Sequence, residues 1–577
     1  MTDFRKSFRE IGVIETPKDE SQEKPQEYKA RNGNTLSYKG KTLLSRIDPI
    51  GQAERLVNLL DIKERTLYVC PSPLYGYGLD LLVKKLAGES AVLCIEADNE
   101  LFELSSRYMA GLIKGSTDIR MARVGALSGG ALCAFVNDSW GKRRFRRVEL
   151  LQISGGWQLF PDVYEKLVSD LRRDMAVSWG NAMTLIRLGR LYCRNLIRNL
   201  PLLSKYETVS ALNYGADPVL VLGAGPSLDG VLNSLGSRIK NPSKRPFRII
   251  CADTCVLPLK DRGIKPDLVV ILESQHWNLR DFTGARDWGC QAAVDLSCLP
   301  ASANVLGGGL YLFMTPWTEL NLFKRLEQRS LLPPVLTPLG SVGLSAMELA
   351  CRITSGPVIS GGMDFSFTVD AYHARSTPGH KSRLACLNRF LSPLNTREAF
   401  REGTFPILSK TGRLVRSGPS MRGYREMFEE EFSRDERIFE LSSSGLHLGC
   451  KIISLDEAVS ILFQGNGHGP SCQGASPVSL DKREALREKT ENFITGEKAC
   501  LLSLKNMLTG EAQIGPDNNI EEIFNALDYL WAHFPESAGT GGSRPAETGV
   551  SFLKRVRTEI DPFLKLWDLA LRGMNEQ

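Results

Sequence analysis

The stretch Pro218-Val219-Leu220-Val221-Leu222-Gly223-Ala224-Gly225-Pro226-Ser227-Leu228 decides the fold. An unbroken apolar run ending in glycines reads as a strand buried on both faces that enters a tight turn. The residues that follow, LDGVLNSLGSRI (228–239), carry apolar side chains at helical spacing. The same alternation recurs downstream. Strand-like runs are FRIICAD (247–253), LVVILES (268–274), QAAVDLS (291–297), LYLFMTP (310–316) and GPVISGGMDFSF (356–367), and VGLSAMELACRI (342–353) is helical. Apolar strands separated by helices imply a sheet covered on both faces. Residues 215–465 are therefore expected to form an α/β domain with a doubly wound, mostly parallel, Rossmann-like sheet.

Other segments arrange themselves around this domain. TLYVC (66–70), LDLLVKKLAG (79–88) and SAVLCIEA (90–97) give a β-α-β order, so residues 36–157 read as an N-terminal α/β domain. Residues 158–214 read as a helical connector. Within it Arg187, Arg190, Arg194 and Arg198 share one face, suited to an acidic partner, a membrane surface or plain solvation. Residues 1–35, charged and rich in Glu, Lys and Gln, read as a flexible tail. GNGHGPSCQGASP is a Gly-, Ser- and Pro-rich tract, from which 466–477 is assigned as a linker, and 478–577 has the periodicity of a helical C-terminal domain.

Composition excludes several classes. The chain has 577 residues, and 72 Lys and Arg against 66 Asp and Glu leave a net charge of +6. Such a charge, spread over this length, does not argue for nucleic acid. An apolar content of 42% excludes disorder of the whole chain. The 13 cysteines include no CxxC pair, so reduced, buried thiols are expected rather than zinc ligands or a disulfide framework. There is no apolar leader and no run long enough to span a bilayer, so a cytoplasmic protein without integral membrane association is expected.

The turn after the first strand can carry chemistry. Gly223 and Gly225 let backbone N–H groups approach an anion. Pro226 suits the first helical position, and the Ser227 hydroxyl lies beside the open N–H groups of a helix start, where the dipole favours phosphate. No Lys-Ser/Thr follows, and Leu228 stands where a dinucleotide fingerprint has its third glycine. Phosphate binding and a plain tight turn both remain open. Ligands of open α/β sheets sit beyond the carboxyl ends of strands, where Asp253, Thr254, Glu273 and Asp364 all fall. Ser341, in Gly340-Ser341-Val342-Gly343, opens a second anion-capable helix. Tyr372-His373-Ala374-Arg375 and His380-Lys381-Ser382-Arg383 place two of the six histidines among cations. His373 or His380 can serve as a general base, while Tyr372, Arg375, Lys381 and Arg383 can neutralise a departing phosphate; an exposed basic loop is the other reading. An earlier turn, PSPLYGYG (71–78), with Glu96 ending the next strand, has the spacing of a ribose-binding site or of a purely structural unit.

GAGPSL, ICADT, GIKPDLVVILE and GSVGLSAMELA before SGGMDFSF resemble the 6-hydroxymethylpterin diphosphokinase MptE-like family, which includes the motility accessory factors. The resemblance covers about 206–465. LYGYGLDLL and LCIEADNELFEL are also similar to the region preceding this domain in motility accessory factors. Bacterial sialyltransferases carry a similar order of motifs, hence a sialyltransferase-like fold. The resemblance implies a glycosyltransferase that moves a nonulosonic sugar from a CMP-activated donor to Ser/Thr of flagellin, with no cofactor. It implies as alternatives Mg²⁺-dependent diphosphate transfer from ATP to 6-hydroxymethyl-dihydropterin, or a non-catalytic nucleotide-binding scaffold. Carried over by position, GAGPSL and Ser341 would hold the nucleotide, and Asp253 would lie near the donor. His380 best matches the base, with His373 its rival. In the kinase reading Asp253, Glu273 and Asp364 would be the metal ligands.

Overall fold

The computed structural model describes residues 8–11, 23–125, 129–141, 144–240, 242, 245–390, 401–464, 480–509, 520–538 and 550–575. The expected linker 466–477 lies outside the described residues. The chain forms two compact units. One runs to Arg187 and takes in a segment from Ala532; the other runs from Leu188 to Trp531 and takes in a segment from Thr548.

In the first unit β1 (Phe8–Ile11), β5 (Thr66–Pro71), β6 (Ala91–Glu96), β7 (Ile119–Val124) and β8 (Arg147–Leu150) form a parallel sheet in the order β1-β7-β6-β5-β8. Every residue of β5 and β6 is buried, which explains their unbroken apolar runs. β2 (Gln26–Lys29), β3 (Asn34–Tyr38) and β4 (Lys41–Thr42) pair antiparallel, so the flexible tail expected over 1–35 is corrected at β1 and again from β2 onward. Glu27 there accepts hydrogen bonds from Tyr75 at 2.7 Å and Tyr108 at 3.0 Å. Glu96 is wholly buried, and its Oε1 accepts from the Tyr164 hydroxyl at 2.9 Å and the Ala97 N–H at 2.9 Å. Burial pushes its carboxyl up to about 7. The acid after the first glycine turn therefore closes the protein's own loop, and the ribose reading of that turn is corrected.

The second unit is built on β9 (Glu207–Thr208), β10 (Val219–Leu222), β11 (Arg248–Ala252), β12 (Leu268–Ile271), β13 (Cys290–Asp295), β14 (Gly307–Phe313), β15 (Val358–Gly361), β18 (Ile438–Leu441) and β19 (Lys451–Ile453). A small antiparallel pair, β16 (Phe405–Leu408) and β17 (Leu414–Ser417), lies apart from them. The nine strands are parallel in the order β19-β18-β15-β10-β11-β12-β13-β14-β9. From β10 the chain steps outward to β14, then returns to the other side of β10 as β15. The order therefore reverses between β10 and β15, and a crevice is expected at the carboxyl ends there. The five strands expected from sequence between 247 and 367 are all present. Val219, Val221, Ile250, Leu268 and Val270 pack with Leu344, Met347, Leu349 and Phe428 into one core.

Helix α1 (Pro161–Asn199) realises the expected connector, but its end belongs to this second unit. Asn199 is buried, and its Nδ2 donates to the Leu296 and Cys298 carbonyls, both at 2.9 Å. Asn195 donates likewise to the Ser274 carbonyl at 2.9 Å. These bonds lock the helix to the carboxyl ends of β12 and β13. Asn199→Ala leaves two buried carbonyls without a donor and is expected to lower stability by about 2–3 kcal/mol, read from denaturant unfolding. Of the arginines on this helix, Arg190 pairs with Glu559 at 2.8 Å.

The C-terminal helices Leu480–Thr509 and Val550–Asn575 also belong to this unit and do not form a domain of their own. Arg325 pairs with Glu497 through Nε at 2.7 Å and Nη2 at 2.8 Å. The Asn321 N–H donates to Asp528 at 2.6 Å. These part-buried polar pairs lie far apart in the chain and carry no local periodic signal, so the sequence boundary at 478 had nothing to reveal them.

Candidate functional site

At the switch point the glycine turn and the loop after β15 are woven together. The Gly223 N–H donates to the Gly361 carbonyl and the Gly225 N–H to the Gly362 carbonyl, each at 2.8 Å. A Cβ on Gly225 would lie 2.6 Å from Asp364 Oδ2 and 2.7 Å from the Gly362 carbonyl, so only glycine fits there. Asp364 Oδ2 accepts from the Ser227 N–H at 2.7 Å, and its Oδ1 accepts from the Ser227 hydroxyl. Asp364 is buried, and burial raises its carboxyl pKa against the opposing pull of the Ser227 bonds.

Pro226 leads into helix α2 (Leu228–Leu235), and the anion at this helix start is the protein's own carboxylate. The expectation that Gly223, Gly225 and Ser227 turn N–H groups toward a ligand is corrected: those groups are already bonded within the protein. Ser227 and Asp364 do meet, as each other's partners. On the outer side of the turn, Pro226, Ser227, Gly230, Arg413 and Ser442 help line a cavity of about 540 Å³.

The second helix start is different. Helix α3 (Val342–Ile353) follows Ser341, whose backbone is extended and whose side chain makes no capping bond. Ser341 and Gly343 are partly exposed. A neutral, uncapped start of a helix this long is suited to an anion. Tyr424, on helix α4 (Pro419–Phe432), stands over Gly340, where a Cβ would lie 3.2 Å from its ring. Burial and the nearby Glu273 charge raise the Tyr424 hydroxyl pKa. Burial, Glu273 and Asp295 together push Tyr192 up to about 12. Glu273, Tyr192 and Tyr424 thus lie near one another at the carboxyl edge, where the crevice is expected, with Tyr424 against Gly340 next to Ser341. The two tyrosines carry no motif that sequence reading could have used.

Asp253 lies further along the same edge. Its Oδ1 accepts from the Thr254 N–H at 2.8 Å and hydroxyl at 3.3 Å, so Thr254 faces Asp253. Its Oδ2 accepts from Asn278 Nδ2 at 2.7 Å, and the same amide reaches Asp281 at 3.3 Å. Burial, then the Asp253 charge, pushes Asp281 up to about 7, and burial likewise raises Asp253. With folded pKa values above the unfolded ones, the folded chain binds more protons between about pH 4 and 7. Stability contributed by this pair is therefore present at low pH and lost as pH rises through that window. Asp281→Asn is expected to unfold at higher temperature than the unaltered chain at pH 8, with the gap closing by pH 4. A constant gap across a pH series of melting curves would refute this.

The loop at 372–383 closes over the glycine turn. The Ala374 N–H donates to the Ala224 carbonyl at 3.0 Å, and His373 Nδ1 lies 3.2 Å from the same oxygen. A carbonyl only accepts, so His373 carries its proton on Nδ1 and its lone pair on Nε2. In His380 the arrangement is opposite: Nδ1 accepts from the Ser376 N–H at 3.2 Å, which puts the proton on Nε2. Burial, then Arg383, lowers the His380 pKa. The two rings thus carry opposite tautomers. Tyr372 packs against Phe367 and His373, both with ring centroids 4.8 Å apart. The cations have protein partners: Lys381 pairs with Asp261 at 3.4 Å, and Arg383 donates to the Asp370 carbonyl at 2.8 Å. Arg375 is exposed, and its backbone N–H donates to Asp229 at 2.9 Å. Among the described residues no three His, Cys, Asp or Glu side chains are placed to hold a metal ion, so Asp253, Glu273 and Asp364 do not form a ligand set.

Residues 194–370 match the family model for 6-hydroxymethylpterin diphosphokinase MptE-like proteins. An uncharacterised protein of Treponema pallidum (strain Nichols) is 28% identical over 567 residues, covering 94% of this chain and 95% of its own. The structure of the MAf glycosyltransferase from Magnetospirillum magneticum AMB-1 superposes with a TM-score of 0.52 at 12% identity, covering 96% of this chain and 90% of that one. That likeness extends the shared fold across both units. Among the described residues no helix is long and apolar enough to cross a membrane.

Proposed function

We propose that this protein is a glycosyltransferase that moves a nonulosonic sugar from a CMP-activated donor to Ser or Thr hydroxyls of flagellin in the cytoplasm. The observation that carries the reading is the uncapped start of α3. It lies beside Glu273, Tyr192 and Tyr424 at the sheet's carboxyl edge, while at the start of α2 the Ser227 N–H and hydroxyl are already bonded to Asp364. The donor phosphate would lie on the first N–H groups of α3 and the Ser341 hydroxyl. The acceptor hydroxyl would lose its proton to a histidine of this edge and attack the anomeric carbon as the sugar–phosphate bond breaks. The superposition on a MAf glycosyltransferase and the MptE-like match support the reading. The transfer calls on no metal.

The family description also favours a second reading, diphosphate transfer from ATP to a hydroxymethylpterin with Mg²⁺. It asks Asp364 to leave Ser227 for a cation. Calorimetry with CMP and with ATP, each with and without EDTA, separates the two. CMP binding indifferent to EDTA is expected. Mg²⁺-dependent ATP binding without CMP binding would replace the first reading by the second, and binding of neither would leave a scaffold. Flagellin mass in cells lacking the protein tests the acceptor; an unchanged glycan mass would exclude it.

A further inference from the structure

A third histidine lies at the same sheet edge, outside the motifs that drew attention to His373 and His380. Glu440, near the end of β18, is wholly buried, and its partner Lys410, whose Nζ lies 2.9 Å away, has a side chain only 4% exposed. The other carboxylate oxygen of Glu440 is bonded to His447 Nδ1, and the Leu448 N–H donates to the same carboxylate at 3.1 Å. The imidazole of His447 is half exposed, at 51%. A carboxylate oxygen accepts, so the His447 proton sits on Nδ1 and its lone pair on Nε2. A buried carboxylate that fixes the tautomer and stabilises the imidazolium is what a proton-accepting histidine needs. At His373 Nδ1 is met by a backbone carbonyl, and at His380 by an N–H.

The loop that carries His447 is fastened to the switch point. β18 neighbours β15, the Leu446 N–H donates to the Asp364 carbonyl at 2.9 Å, and the Lys410 N–H donates to the Gly445 carbonyl at 3.0 Å. The same loop meets α4, where Arg425 Nε donates to the His447 carbonyl at 2.8 Å, one residue from Tyr424 of the crevice. The charged groups around the imidazole are thus Glu440 and Lys410 below it, and Arg425 with its partner Glu429 on α4.

We propose that His447 is the general base of the transfer, with Glu440 as its positioning residue. This rests on the glycosyltransferase reading above. Nε2 takes the proton of the acceptor hydroxyl while that oxygen forms its bond to the anomeric carbon. The sugar–phosphate bond breaks, CMP departs with the electron pair, and the proton passes from His447 to water. The exposure of the ring suits an acceptor as large as a protein.

The test is transfer from CMP-pseudaminate and CMP-legionaminate to recombinant flagellin by the full chain. His447→Gln is expected to lower kcat at least ~100-fold with the KM for donor unchanged and unfolding unaltered. Added imidazole is expected to restore part of the rate to His447→Gly. Glu440→Asp keeps a charge for Lys410 but withdraws the carboxylate from Nδ1. It is expected to lower kcat about tenfold at constant KM, which a purely structural role would not do. Transfer by His447→Gln at the unaltered rate overturns the proposal while leaving the glycosyltransferase reading intact. So does loss of transfer confined to His373→Gln or His380→Gln. No transfer by the unaltered chain overturns the reading and the proposal together.

Discussion

Ser341→Asp is expected to weaken CMP binding by more than tenfold, about 1.4 kcal/mol, without lowering stability. Aspartate caps a helix as well as serine does, because its carboxylate accepts from the first-turn N–H groups. Ser341 makes no such bond, so the new carboxylate gains partners that are open. The same bonds remove the donors a phosphate would use and set a negative charge against it. The two effects have opposite signs on folding and on binding, which separates a local role at the helix start from general damage. Calorimetry with CMP and a melting curve on the same sample read both. Undiminished CMP affinity would move the phosphate away from α3.

Asp364→Ala should do the reverse, damaging the fold first. Asp364 alone satisfies the Ser227 N–H and hydroxyl, and both residues are buried. The alanine leaves two donors without an acceptor and the start of α2 without its anion. The Lys410 charge nearby also loses a counterweight. About 3–4 kcal/mol of stability is expected to disappear in denaturant unfolding, near the upper end for single substitutions. Ser227→Ala, which deletes one bond and keeps the other, should cost about 1–1.5 kcal/mol. Equal losses from the two would mean that the carboxylate is not the common partner of both Ser227 groups.

Much of the fold was legible because a parallel sheet covered on both faces needs apolar residues at every position. The runs at 219–222, 248–252, 268–271 and 358–361 advertise themselves, and the glycine turns after the first and last mark which end carries a site. Ser341, Glu273 and Asp253 were legible as residues at that end. The hairpin at 26–38 was not, since its first strand is fully exposed and its charged composition resembles a tail. Asp281, Tyr424 and the Glu440–His447 pair were not either. Each lies on a segment with no motif and matters only through a side chain brought to it from elsewhere.

What the amino-acid sequence determined by itself is the repeating strand–turn–helix order, and with it the parallel sheet and the edge on which chemistry gathers. Hydrophobic periodicity and glycine are local properties, so a single chain displays them. The tertiary structure decided which groups at that edge are already bonded. GAGPSL and GSVG are equally good helix starts as strings of residues. In the first, the Ser227 N–H and hydroxyl are bonded to a carboxylate 137 residues away, and in the second, Ser341 makes no capping bond. The same holds for the histidines, whose tautomers follow from whether a carbonyl, an N–H or a buried carboxylate meets Nδ1. A hydrogen bond is satisfied by whichever group the fold delivers, and that delivery depends on closure of the whole sheet.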